Sequence, residues 1–89
     1  MSSLSAEDLA GRLRDAFPDA QIEVVDEGHL HVGHPGAKSG GHFRVRVVAP
    51  AFVGLTTLAR HRLVYHALGE WLPGRIHALA IEAQTPAGS

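Results

Sequence analysis

The sequence predicts an α+β fold with elements in the order helix, strand, strand, helix, strand, and three observations carry the prediction. Leu9, Leu13 and Phe17 recur at helical spacing near the start; two β-branched runs follow at 22–27 and 42–49; a second helical spacing then precedes a last apolar run at 76–83. Two strands joined by a loop, with a third returning after a helical crossover, make a small three-stranded mixed sheet covered by helices on one face. Eighty-nine residues, 45% of them hydrophobic, suffice for one core and not two. One domain over 1–89 is therefore expected, with 1–4 and 84–89 as frayed tails.

The first helix is predicted from about 6 to 17. The Ser5 hydroxyl is placed to accept from the backbone N–H of Asp8, Leu4 and Leu9 occupy the positions of a hydrophobic staple, and Pro18 ends the segment. In the second strand Phe43, Val45 and Val47 fall on one face and His42, Arg44 and Arg46 on the other, so the sheet has a dry and a wet side. The Gly-rich stretch 28–41 between the strands reads as a loop through its Pro-Gly and Gly-Gly pairs. Pro50, Phe52 and Gly54 mark a short turn, and Thr56 is the N-cap of a second helix running to about Leu72, ended by Pro73-Gly74. Leu58, His61, Tyr65, Leu68 and Leu72 form its predicted core stripe, which makes His61 a buried, hydrogen-bonded histidine. The last strand, 76–83, is read with His77, Leu79 and Ile81 on one side.

A net charge of -1 and a pI near 6.6 exclude the positive excess of a non-specific nucleic-acid binder. The charge is nevertheless divided. Residues 1–27 carry Arg12 and Arg14 against seven acids, a balance of -5, and residues 28–89 carry six Lys and Arg against Glu70 and Glu82, a balance of +4. All seven histidines lie in that second part. The absence of cysteine excludes a disulfide framework, a thiolate nucleophile, a Cys-type zinc site and a self-sufficient iron-sulfur site. No charged or apolar leader opens the chain and no apolar run approaches the roughly 20 residues of a membrane span, so a cytoplasmic protein without membrane contact is expected.

Catalytic motifs are missing. Gly36-Ala37-Lys38-Ser39 lacks the glycine spacing of a phosphate loop, and no serine stands in a Gly-x-Ser-x-Gly elbow, so no enzyme is expected. His29 and His31, two apart, face the same way on extended backbone and form with His34 or His42 a donor set for Zn(II) or Ni(II). Taken alone, His77 reads as a histidine satisfied by a backbone carbonyl, and His34 as a solvated loop residue. Arg60 and Arg62, with Arg44, Arg46 and Lys38, form the candidate basic surface for phosphates.

The chain from Leu9 to Pro86 resembles the BolA family. The stretches that carry the resemblance are Val24-Val25-Asp26-Glu27, His31-Val32-Gly33-His34, His42-Phe43-Arg44-Val45, Phe52-Val53-Gly54, Arg60-His61-Arg62-Leu63-Val64-Tyr65 and Ile76-His77-Ala78-Leu79-Ala80-Ile81, in this order. The resemblance implies a BolA fold, similar to a class II KH domain, which agrees with the order read above. The KH-type Gly-x-x-Gly clamp is absent between helices, because Gly33-His34-Pro35-Gly36 lies between strands. Two activities are implied. One is a complex with a monothiol glutaredoxin around a shared [2Fe-2S] cluster, serving iron-sulfur assembly or iron homeostasis; the other is DNA binding as a transcriptional regulator. Imidazole replaces thiolate on one iron of Rieske centres, so a cysteine-free chain completes a cluster begun by glutaredoxin and glutathione. The resemblance places the ligands in the C-terminal strand and in the loop between the first two strands. Here they are His77 and His34, with His31 or His42 as substitutes, and the isolated chain holds no cofactor. That chain is expected to be a monomer or a weak dimer.

Overall fold

The computed structural model describes residues 4–27, 41–72 and 74–88. Its elements are α1 (Ala6–Ala16), β1 (Gln21–Asp26), β2 (Gly41–Val48), α2 (Thr57–Leu68) and β3 (Ile76–Gln84). The predicted order and class hold. The sheet runs β1-β2-β3, with β1 antiparallel and β3 parallel to β2. Both helices pack on one face of the sheet, where the core gathers around Leu9, Leu13, Phe43, Val45, Val47, Phe52, Val64, Leu68 and Ile76.

Local chemistry fixes the helix starts as read. The Ser5 hydroxyl accepts from the Asp8 N–H at 3.1 Å while the Asp8 carboxylate accepts from the Ser5 N–H at 2.9 Å, a reciprocal capping box. Leu4 and Leu9 are both buried beneath it, as a staple requires. At the second helix the Thr56 hydroxyl accepts from the Ala59 N–H at 3.1 Å. In β2, Phe43, Val45 and Val47 are buried and Arg44 and Arg46 point to the opposite face. Phe17 closes α1 against Phe52, edge to face at 5.4 Å between ring centroids.

The second helix departs from expectation in its face and in its end. Its buried residues are Val64 and Leu68, whereas Leu58 and Tyr65 are exposed and His61 is half-buried. The core row is Arg60, Val64 and Leu68, one turn apart, and its first member is charged. Arg60 sits there because its guanidinium reaches backbone oxygens, Nε donating to Leu55 at 3.0 Å and an Nη to Ala83 at 3.1 Å. The helix stops at Gly69, whose φ of +52° suits glycine, and a 3-10 turn over Gly69–Trp71 follows. Arg12 of α1 ties this turn down, stacking 3.9 Å from the Trp71 ring centroid and donating to both Glu70 carboxylate oxygens.

The C-terminal segment is also more engaged than a frayed tail. Thr85 is buried, the Ala49 N–H donates to the Gln84 carbonyl at 2.9 Å, and the Gly88 N–H closes a turn onto Thr85 at 2.8 Å. Among the described residues no helix is long and apolar enough to cross a membrane.

Candidate functional site

The pairing of β2 with β3 is interrupted at one point. Gly41 faces Ile76 and His42 faces Ala78, so His77 is the extra residue of a bulge between two otherwise regular stretches. Beyond it Phe43, Val45 and Val47 face Leu79, Ile81 and Ala83 in register. The bulge changes the side to which His77 belongs. Ile76, Leu79 and Ile81 turn toward the core, Ile76 being fully buried, and His77 is exposed. Strict alternation would put His77 on the side of Leu79 and Ile81; it fails because one residue is inserted.

The bulge brings His77 to His42. Their ring centroids are 5.1 Å apart with planes tilted by 46°, and His42 is half-buried. Gly41 fixes the local geometry. Its N–H donates to the Arg75 carbonyl at 3.0 Å, and a side chain on it would start inside the space of the Phe43 ring. On the other flank the Glu27 N–H donates to the His42 carbonyl at 2.7 Å, and the Glu27 carboxylate accepts from Arg44 Nε at 3.0 Å. An open groove of about 200 Å³ lies here, lined by Glu27, His42, Phe43, Ala78, Leu79 and Ala80.

Three of the expected histidines, His29, His31 and His34, lie outside the described residues, as does Lys38. The residues that flank their segment, Glu27 and Gly41, both stand at this corner. Among the described residues no three His, Asp or Glu side chains gather as a metal-holding group, so His42 and His77 are a pair and not a complete ligand set.

The basic candidates do not converge. Arg44 is paired with Glu27, and Arg46 lies between Glu23 at 4.0 Å, Glu82 at 3.5 Å and the Gln84 side chain at 3.3 Å. Arg60 is engaged by the two carbonyls described above. Arg62 is exposed. The bulge and the Gly41–Phe43 contact escaped sequence reasoning. The available signal was a glycine two residues before a core phenylalanine, at the end of a Gly-rich stretch.

A family model described as BolA-like protein matches residues 13–88. BolA-like protein 1 of Homo sapiens is 47% identical over 76 residues, covering 85% of this chain and 54% of that protein, so the chain spans about half the length of that relative. The DNA-binding transcriptional regulator BolA of Escherichia coli is 40% identical over 79 residues, covering 89% of this chain and 73% of that one. The structure of the BolA domain of SufE1 from Arabidopsis thaliana superposes with a TM-score of 0.78 at 36% identity, covering 96% of this chain and 98% of that one.

Proposed function

The chain belongs to the family of BolA-like proteins, and from that membership we propose that it is an adaptor that docks on a monothiol glutaredoxin and completes a shared [2Fe-2S] cluster with two imidazoles. His77 is one ligand. The second is His34, with His31 or His42 as the substitute; of these, His42 is among the described residues and stands beside His77. The observation that supports this reading is the bulge that exposes His77 and sets it 5.1 Å from His42.

The donor chemistry fits. Iron in a [2Fe-2S] centre accepts imidazole nitrogen in place of thiolate, and this chain has histidines and no cysteine. Among the described residues the donors are a pair, His42 and His77, and a cluster whose remaining ligands come from glutaredoxin and glutathione needs no more than two from this chain. When bound, the cluster supplies iron and sulfide for transfer and a one-electron redox centre. The chain's own residues orient and make room. Gly41 and the bulge turn His77 outward, Glu27 and Arg44 hold the end of β1 on β2, and the small side chains of Ala78 and Ala80 leave the neighbouring sheet face open to a partner.

Mixing the protein with cluster-loaded monothiol glutaredoxin tests the reading. One heterocomplex with a visible circular dichroism spectrum distinct from that of glutaredoxin alone is expected, and His77→Ala removes the spectral change while far-UV dichroism stays native. A full spectral change with the variant would remove His77 as a ligand.

A second reading, DNA binding, draws on the name of the Escherichia coli relative and on α2, whose residues Thr57–Leu68 include Arg60, His61, Arg62 and His66 and no acid. It expects binding that weakens steeply with salt and with Arg62→Ala. Affinity indifferent to both would contradict it.

A further inference from the structure

We propose that two copies of this chain join edge to edge through β3, antiparallel about a twofold axis that passes through the sheet at Ala80, so that their three-stranded sheets become one. Among the described residues β3 has β2 as its only strand neighbour, which leaves one row of its backbone groups facing outward. Two hydrogen bonds identify that row. The Ala49 N–H donates to the Gln84 carbonyl across the β2–β3 ladder, so Ala78, Ala80, Glu82 and Gln84 turn their backbone groups toward β2. Leu79, Ile81 and Ala83 turn theirs outward, and Arg60 accordingly reaches the Ala83 carbonyl from α2. The open stretch of the edge is thus Leu79 to Ile81.

That stretch is complementary to itself. In an antiparallel pair, two residues that exchange both hydrogen bonds must each point at the other strand. With Ala80 on the axis, Leu79 meets Ile81 of the second copy and Ile81 meets its Leu79, which satisfies the outward groups of both. An axis at Leu79 would set Ile81 against His77 in the bulge, and an axis at Ile81 would set Leu79 against Ala83, whose carbonyl Arg60 already holds. The side chains agree with the same register. Leu79 and Ile81 pack on the core yet stay half-exposed, and the cross-copy Leu–Ile pair covers what remains. On the opposite face exposed Ala80 meets itself and exposed Ala78 meets Glu82, so no like charges are opposed. The other edge of the sheet is unsuited. β1 carries Glu23 and Asp26 in six residues, whereas the nine of β3 hold Glu82 and no Asp, Lys or Arg beside it. A twofold contact closes on itself, so association stops at two copies, and so short an interface makes it weak and reversible.

Sedimentation equilibrium of the full chain from about 10 μM to 1 mM tests the proposal, with Ala78→Lys, Ala78→Glu, Ala80→Lys and Ala16→Lys run in parallel. Ala16 is an exposed residue at the end of α1, and its lysine variant has the same net charge as Ala78→Lys. Lysine at 78 faces Glu82 of the second copy at both ends of the contact and is expected to tighten the dimer roughly two- to tenfold. Glutamate at 78, opposed to Glu82, and lysine at 80, opposed to itself, are expected to weaken it by a similar factor, and Ala16→Lys to leave it unchanged. A parent that stays monomeric over the whole range, or association that responds to Ala16→Lys as it does to Ala78→Lys, would overturn the proposal. Amide spectra of the unmutated protein on dilution give a second reading that needs no variant. The Leu79 and Ile81 amides shift with concentration and those of β1 do not; shifts at β1 with Leu79 and Ile81 unmoved overturn the assignment to β3. Neither experiment contains glutaredoxin or a cluster, so the result is independent of the reading above.

Discussion

The ring of Phe43 occupies the space in which a side chain on Gly41 would begin. Both residues face the same side of β2, and Phe43 is almost completely buried. The glycine thus lets a core aromatic close over the backbone immediately before the bulge that exposes His77.

Gly41→Ala is therefore an overpacking substitution next to the candidate ligands. A loss of about 1–3 kcal/mol is expected, measured by urea unfolding, together with altered His42 and His77 side-chain resonances. Phe43→Leu in the same chain makes room, and recovery of the two histidine signals in the double variant is the expected result. Unperturbed histidine signals in Gly41→Ala would dissociate the glycine from the geometry of the pair.

Arg60 and Arg62 are two residues apart and have opposite assignments. Arg60→Ala abandons hydrogen bonds to the Leu55 and Ala83 carbonyls and should cost about 1–3 kcal/mol. Arg62→Ala touches an exposed side chain and should stay within about 0.5 kcal/mol of the parent. Denaturant unfolding of both variants decides whether the basic pair is one surface or one clamp and one free charge.

Glu70 carries a pH signature. Its carboxyl is held below the ordinary value of 4.5, first by the hydrogen bond from Arg12, then by its own backbone N–H and the Arg12 charge. A depressed folded value means that the unfolded chain binds the proton more readily. The contribution is present above the unfolded value and is lost as pH falls through the folded one. Thermal melts should show Glu70→Gln less stable than the parent near about pH 7, the difference closing toward about pH 3. The carboxylate is largely exposed, so the effect is small and salt-sensitive.

Much of this fold was legible in the sequence. The caps at Ser5 and Thr56, the stripe Leu9–Leu13–Phe17 and the alternation Phe43–Val45–Val47 are local signals, and local hydrogen bonding and burial act on them directly. The face of α2 differs from the one expected because its core row begins with Arg60, a charged residue whose guanidinium is bound to the Leu55 and Ala83 carbonyls. The end of α2 was misread because Gly69 terminates it before Pro73-Gly74 is reached. The candidate site was half legible. The family resemblance drew attention to His77, but its exposure follows from an inserted residue, and a bulge depends on pairing between strands far apart in the chain. His42 stood only as a substitute ligand, and its approach to His77 is a tertiary fact.

If this chain completes a cluster shared with a glutaredoxin, imidazole nitrogen is bound to iron in the complex. Pulsed paramagnetic resonance of the reduced cluster reads nitrogen couplings at the iron and is repeated with His77→Ala, His42→Ala, His34→Ala and His31→Ala. Strong couplings from two histidine nitrogens are expected in the parent complex, one lost in His77→Ala and the other lost in one of His34→Ala, His31→Ala and His42→Ala. A spectrum that shows no strong histidine coupling, and does not change in any of the four variants, would overturn the cluster reading.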